Sequence, residues 1–328
     1  MVRRVLDALD NPIVLKEGVS RMRTWRAPVV ATLYLSLIGG VGYVVLNLAV
    51  AGYRQTNTGV IASQVGQTAF AWMAFFELAL VGLFAPGVAA GAISGERERQ
   101  TLDVLLVSRV SAFGIVWGKL VASLAYVLLL ILTALPLFAA VFLFGGIDGW
   151  QFALSQVLIV GTALCLGSIS LFFSALFRRS LVATVSSYAA AFFVLVGTAV
   201  VAVLVSLGQY FGTPQTGTPA TLVPAIWYFN PFFALLVVMF PVSGAAVGLR
   251  GFLQMLLFGP PAAGLLAPGG PTVEPWTVVL GFEFCLAAIS VVGAVLLLRG
   301  RRVFRIRRQP GEEPQPPPAP SLPGEAFS

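Results

Sequence analysis

The sequence predicts an all-α protein: a polytopic integral membrane helix bundle of six spans, with amphipathic helices lying outside the bilayer core. Three observations carry that reading. Of the 328 residues, 58% are hydrophobic and only 10% charged, whereas soluble domains are roughly half apolar and a quarter charged. Polar residues are too few to cover a water-facing exterior, and the mean hydropathy of +0.92 agrees. Six apolar runs, near 28–50, 69–92, 114–144, 151–176, 181–206 and 276–298, reach the length of about 20 residues that a helix needs to cross hydrocarbon. Finally, the basic residues fall almost entirely between alternate runs.

The N-terminal segment 1–27 reads as an amphipathic helix at the interface. Asn11 suits an N-cap and Pro12 the first helical position. Val14, Leu15, Val19, Met22 and Trp25 then share one face, and Lys16, Glu17, Ser20, Arg21 and Arg23 the other. Such a helix lies on the bilayer with its tryptophan at headgroup depth. The alternative is a basic flank that only fixes topology. The first span follows. Ala49-Val50-Ala51 has the form of a signal cleavage site, but about 27 residues precede an apolar run of more than 20. Both are too long for a signal peptide.

Between the second and third runs stands Gly95–Arg109, "GERERQTLDVLLVSR", where Glu96, Arg97, Glu98, Arg99 and Asp103 crowd into eight positions. Read as one helix from Gly95, it places Glu96, Arg99, Gln100 and Asp103 on one face. Leu102, Leu105, Leu106 and Arg109 line another. The charged face would meet water or a partner, and an ordinary solvated loop helix is the plain alternative. Pro136 predicts a kink or tilt in the third span. "GIVWGKL" at Gly114–Leu120 has the look of a phosphate loop but lacks its spacing and its Ser or Thr after the lysine.

Region 207–275 is the hardest to read. One more crossing there would put the arginine-rich C-terminus outside. Pro231, Pro241 and Pro260-Pro261 favour short re-entrant helices over two further crossings. The proline-rich segment 309–328 has almost nothing to bury and is expected to be a disordered tail.

Orientation follows from lysine and arginine. With the N-terminus inside, 18 of the 20 basic residues face the cytoplasm, leaving only Arg54 and Arg250 outside. The net charge of +7 then faces anionic lipid, and no nucleic acid partner is needed to explain it. Histidine is absent, which excludes imidazole metal sites and histidine acid–base catalysis. Cys165 and Cys285 lie in apolar runs and read as buried small hydrophobes. Glu77 and Glu283 fall within spans two and six, where a carboxylate is costly enough to mark a substrate path, a gate or a neutral hydrogen-bonded acid.

"NPIVLKEGVSRMR" before the first span and "ISGERERQTLDVLLVSRVSAFGIVWGKLVAS" after the second resemble permease subunits of type-2 ATP-binding-cassette (ABC) exporters. The second stretch is the more specific, and the six-span plan extends the resemblance over residues 1–308. It implies an interfacial helix over Asn11–Trp25 and a cytoplasmic coupling helix over about 95–109 that docks in an ATPase subunit. Glu96, Arg97, Glu98, Arg99, Thr101, Leu102, Leu105 and Leu106 inherit the coupling role. It further implies that ATP and Mg are bound by the partner ATPase, with no cofactor or metal in this chain. A second permease copy or sister permease, and a bacterial-type plasma membrane with both termini cytoplasmic, complete the expectation. Two other classes compete. An ion-coupled secondary transporter would use Glu77 and Glu283, and a membrane enzyme would need a catalytic cluster that the sequence does not supply.

Overall fold

The computed structural model describes residues 25–55, 62–102, 111–212, 225–239 and 274–306. Its helices are α1 (Arg26–Gln55), α2 (Ala62–Ala89), the one-turn α3 (Ser94–Glu98), α4 (Ala112–Phe142) and α5 (Gly149–Leu176). They continue with α6 (Ser180–Phe192), a π-helical turn at Phe193–Gly197 and α7 (Thr198–Gly212). A 3-10 turn at Ala225–Phe229, α8 (Pro231–Met239) and α9 (Pro275–Ile306) complete the order. No strand occurs among the described residues. Among the described residues, six helical stretches are long and apolar enough to cross a membrane, and they coincide with the six expected runs.

α5 sits at the centre, packed against α2, α4, α6, α8 and α9. Its sequence explains the placement. It is apolar all round, as a fully enclosed helix must be, and Gly161, Ala163, Gly167, Ser168, Ser170, Ser174 and Ala175 let neighbouring backbones approach closely. Asp148 opens it with a reciprocal cap shared with Gln151. At the preceding turn, Gly145 and Gly146 adopt φ of 81° and 85°. A Cβ at Gly146 would overlap the Ser63 carbonyl at the start of α2, so both conformation and space require glycine there.

Two apolar clusters form. The larger joins α1, α2, α4, α5 and α8 around Tyr34, Phe70, Phe138, Leu158 and Trp227. The smaller lies at one end of the bundle, around Ile93, Leu102, Ile115, Leu120, Leu171 and Leu298. α4 passes through Pro136 as a single helix, and α2 likewise contains Pro86.

Within 207–275, α7 continues the fifth span to Gly212, and α8 has nine residues. At 1.5 Å per residue α8 is about 14 Å long, too short to cross a hydrocarbon core of about 30 Å. It is buried nonetheless, and its termini are tied. The Asn230 side chain caps Phe233 N–H at 3.0 Å, and its amide donates to Leu195 O and Thr198 Oγ1, each at 2.8 Å. At the other end, Gln67 donates to Met239 O at 2.9 Å. Leu195 lies inside the π-helical turn, where the backbone ladder is locally out of step and a carbonyl is open to an outside donor.

Two expectations change, and others fall outside the described residues. The stretch 95–109 is not one helix through its described part, since α3 ends at Glu98. Cys285 is exposed on the outer surface of α9, and only Cys165 is buried. The interfacial helix over Asn11, Pro12, Leu15, Glu17, Val19 and Met22, and the tail 309–328, lie outside the described residues. Trp25 is described, and is 75% exposed.

Candidate functional site: a charged turn and two buried carboxylates

α3 is brief because the chain reverses directly after it. Arg99 is the C-cap, and Gln100 adopts φ of 60°, in the left-handed region. Gln100 N–H bonds to Arg97 O at 3.1 Å and Thr101 N–H to Glu96 O at 2.9 Å. These two bonds define a Schellman closure, normally built with glycine at the left-handed position. Holding a glutamine there costs on the order of 1 kcal/mol. The reversal breaks the expected face through Glu96, Arg99 and Gln100, Asp103 lying outside the described residues, and it turns Leu102 into the smaller apolar cluster, 4% exposed.

The charges of α3 all bond to groups of this chain, although Glu98 is exposed. Glu96 Oε1 pairs with Lys119 Nζ at 2.7 Å, the lysine side chain being 1% exposed and the glutamate 29%. Lys119 shares a face of α4 with Ile115, Val116 and Leu120, so its stem is packed in apolar surroundings while the ammonium reaches the acid. Arg97 donates to Phe177 O and Ala175 O, carbonyls at the C-terminal end of α5. Glu98 accepts from Ser180 N–H and from Ser180 Oγ, both at 2.7 Å, at the first turn of α6. A cation therefore sits where a helix dipole ends and an anion where the next begins, the favourable sign in both cases. Behind them, Ser174 Oγ of α5 accepts from Ile93 N–H at 2.9 Å and Ser94 N–H at 3.0 Å, and donates to Ser94 Oγ.

Among the expected coupling residues, Glu96, Arg97 and Leu102 are thus engaged inside this chain. Glu98 is exposed but bonded to Ser180, and Arg99 and Thr101 are exposed together with Gln100. Leu105 and Leu106 lie outside the described residues. Lys119, Ser174 and Ser180 were not singled out in the sequence. A lysine on the buried face of an apolar helix does signal a hidden acid, but nothing in the sequence names which one.

Glu77 and Glu283 both reach α5 from opposite neighbours. Glu77 of α2 is fully buried and accepts from Tyr34 of α1 and Gln156 of α5, each at 3.3 Å. Glu283 of α9 accepts from Thr162 of α5 at 2.7 Å, and its Oε2 has no hydrogen-bond partner among the described residues. That oxygen lies against Gly161, where a Cβ would come within 3.2 Å. The two acids bond different residues of α5 and form no joint site. No metal-binding group of His, Cys, Asp or Glu occurs among the described residues.

A family model described as ABC-2 family transporter protein matches residues 12–266, more than half of the chain. No curated protein matches the sequence.

Proposed function

The chain belongs to the ABC-2 transporter family, and from that premise we propose that it is an exporter permease driven by a separate ABC ATPase through the loop between spans two and three. As an ABC-2 permease it is a multi-pass membrane protein of the transport machinery. The separate ATPase binds and hydrolyses ATP with Mg, and this chain converts its motion into movement of the spans. The termini and the α3 turn face the cytoplasm of a bacterial-type plasma membrane, the side on which 18 basic residues gather. A second permease chain, identical or sister, completes the path. The interfacial helix at Leu15, Val19, Met22 and Trp25 holds the first span at the inner surface.

The observation that carries this reading is the α3 turn. It stands where the ends of α2, α4, α5 and α6 meet, with an outer rim of Glu98, Arg99, Gln100 and Thr101 exposed above an inner side bonded to those helices. A rim of charged and polar groups gives a partner register and orientation. The engaged set differs from the one implied by the sequence: Arg99, Gln100 and Thr101 meet the ATPase, and Glu96, Arg97 and Leu102 hold the turn in place. Leu105 and Leu106 stay in the proposed docking segment. Glu77 and Glu283 serve as internal hydrogen-bonding groups of the bundle, in keeping with their separate partners on α5.

Co-expression with an ABC ATPase, purification in mild detergent and reconstitution into lipid test the reading. Expected is a stable complex whose ATP hydrolysis is altered by this chain. An ATPase that never co-purifies, with hydrolysis indifferent to the permease, contradicts it.

A further inference from the structure

Chain connectivity delivers a push on α3 to span two directly and to span three through the segment that follows. The side chains do more. Lys119 ties the turn to α4, Ser174 and the Arg97 guanidinium tie it to the C-terminal end of α5, and Ser180 ties it to the first turn of α6. We propose that these ties make the loop-side ends of spans two, three, four and five one rigid body, so that an ATPase moves all four together. This rests on the coupling role proposed above and adds what receives the push. Lys119, Ser174 and Ser180 are positioning residues: each acts through α3 and none needs to touch the ATPase.

The sixth span is outside that body. The ties described above, at the loop-side end, run to α4, α5 and α6. At that end α9 is held by apolar packing of Ala294, Val295 and Leu298. Beside it runs an open groove of about 490 Å³ lined by Phe172, Leu176, Gly293 and Leu296. A charge-assisted bond resists sliding because its geometry is directional, whereas apolar side chains can repack across a groove. At the loop-side end α9 is therefore free to shift against that body, while farther along the bundle it stays joined to α5 through Glu283 and Thr162.

Spin-label distances in the full chain bound to its ATPase in lipid nanodiscs test this. Cys285 is replaced by alanine, and buried Cys165 is left in place. Labels go on exposed sites of the first turns of α4 and α6, Phe113→Cys and Leu181→Cys, and, in a second sample, on Phe113→Cys and Val292→Cys of α9. The proposal expects a narrow 113–181 distribution that is the same without nucleotide and after vanadate trapping, while the 113–292 distance shifts. Ser174→Ala, and separately Arg97→Gln, should broaden the 113–181 distribution and abolish the 113–292 shift while the ATPase stays bound and still hydrolyses ATP. A 113–181 distance that changes as much as 113–292 in the wild-type complex overturns the rigid body and leaves the coupling role standing. Variants that keep both distances and the shift overturn it as well. A wild-type chain that retains no ATPase contradicts the coupling role, and this inference with it.

Discussion

Lys119 is the residue on which the α3 turn depends most. Its ammonium is buried, and removing the Glu96 carboxylate takes away the ion-pair partner that it meets at 2.7 Å. Breaking such a pair costs on the order of 3 kcal/mol, near the low end for buried pairs because Glu96 is partly wet. Glu96→Gln should therefore lower the melting temperature of the detergent-solubilised protein, and Lys119→Met combined with Glu96→Gln should recover much of the loss. A single variant as stable as wild type would show that the pair contributes nothing. Gly161→Ala is a second test. Its Cβ would come within 2.8 Å of Leu280 Cδ2 and 3.2 Å of Glu283 Oε2, so the Leu280 side chain must shift and the Glu283 carboxylate give way. Overpacking of that kind costs about 1–3 kcal/mol, read as a lower melting temperature. Little of this was legible in the sequence. Lys119 looked like a topology marker at the start of a span, and its acid is 23 positions away. Glu77 and Glu283 announced themselves as polar groups in lipid, yet their partners lie on a different helix that only the fold brings near.

The spans were legible because each is an uninterrupted apolar run, and hydrocarbon admits no other solution for a backbone that must bond itself. Short elements were not. α3 was expected to run on because Gln100 carries no glycine signal; its left-handed conformation is imposed by the ties of Glu96 and Arg97 on the preceding turn. Breaks at Pro231, Pro241 and Pro260-Pro261 led us to expect short helices in this region, and α8 is one, but its lock was not legible, since the π-helical turn that receives Asn230 has no sequence signature. That lock predicts a specific loss. Asn230→Ala leaves Leu195 O, Thr198 Oγ1 and Phe233 N–H without the Asn230 side chain. Each buried group stranded this way costs about 1–3 kcal/mol. Hydrogen exchange at the α8 amides should speed up markedly, with exchange in α4 unchanged. Asn230→Asp keeps the acceptor for Phe233 while losing the amide donor, and should fall between the two. Equal protection in all three proteins would show that the lock does not hold α8.

Across the whole molecule, the arrangement is a central α5 packed against four spans and the short α8, with a polar clamp at one end and the Gly145-Gly146 turn and α8 toward the other. In the orientation proposed from the basic residues, the clamp end faces the cytoplasm. A membrane-impermeant maleimide should label Leu143→Cys in intact cells and Arg178→Cys only after permeabilisation, the background again lacking Cys285. The reverse pattern would invert the protein and remove the clamp from any cytoplasmic ATPase. The central claim is narrower: that the exposed rim of the α3 turn is where the ATPase takes hold. A photo-crosslinker on Gln100→Cys tests it most directly, with Leu83→Cys on the outer face of span two as the control. In membranes that also contain the ATPase, Gln100 should crosslink to it and Leu83 should not. If the ATPase co-purifies and yet Gln100 gives no more crosslink than Leu83, the ATPase grips this chain elsewhere and the account is contradicted.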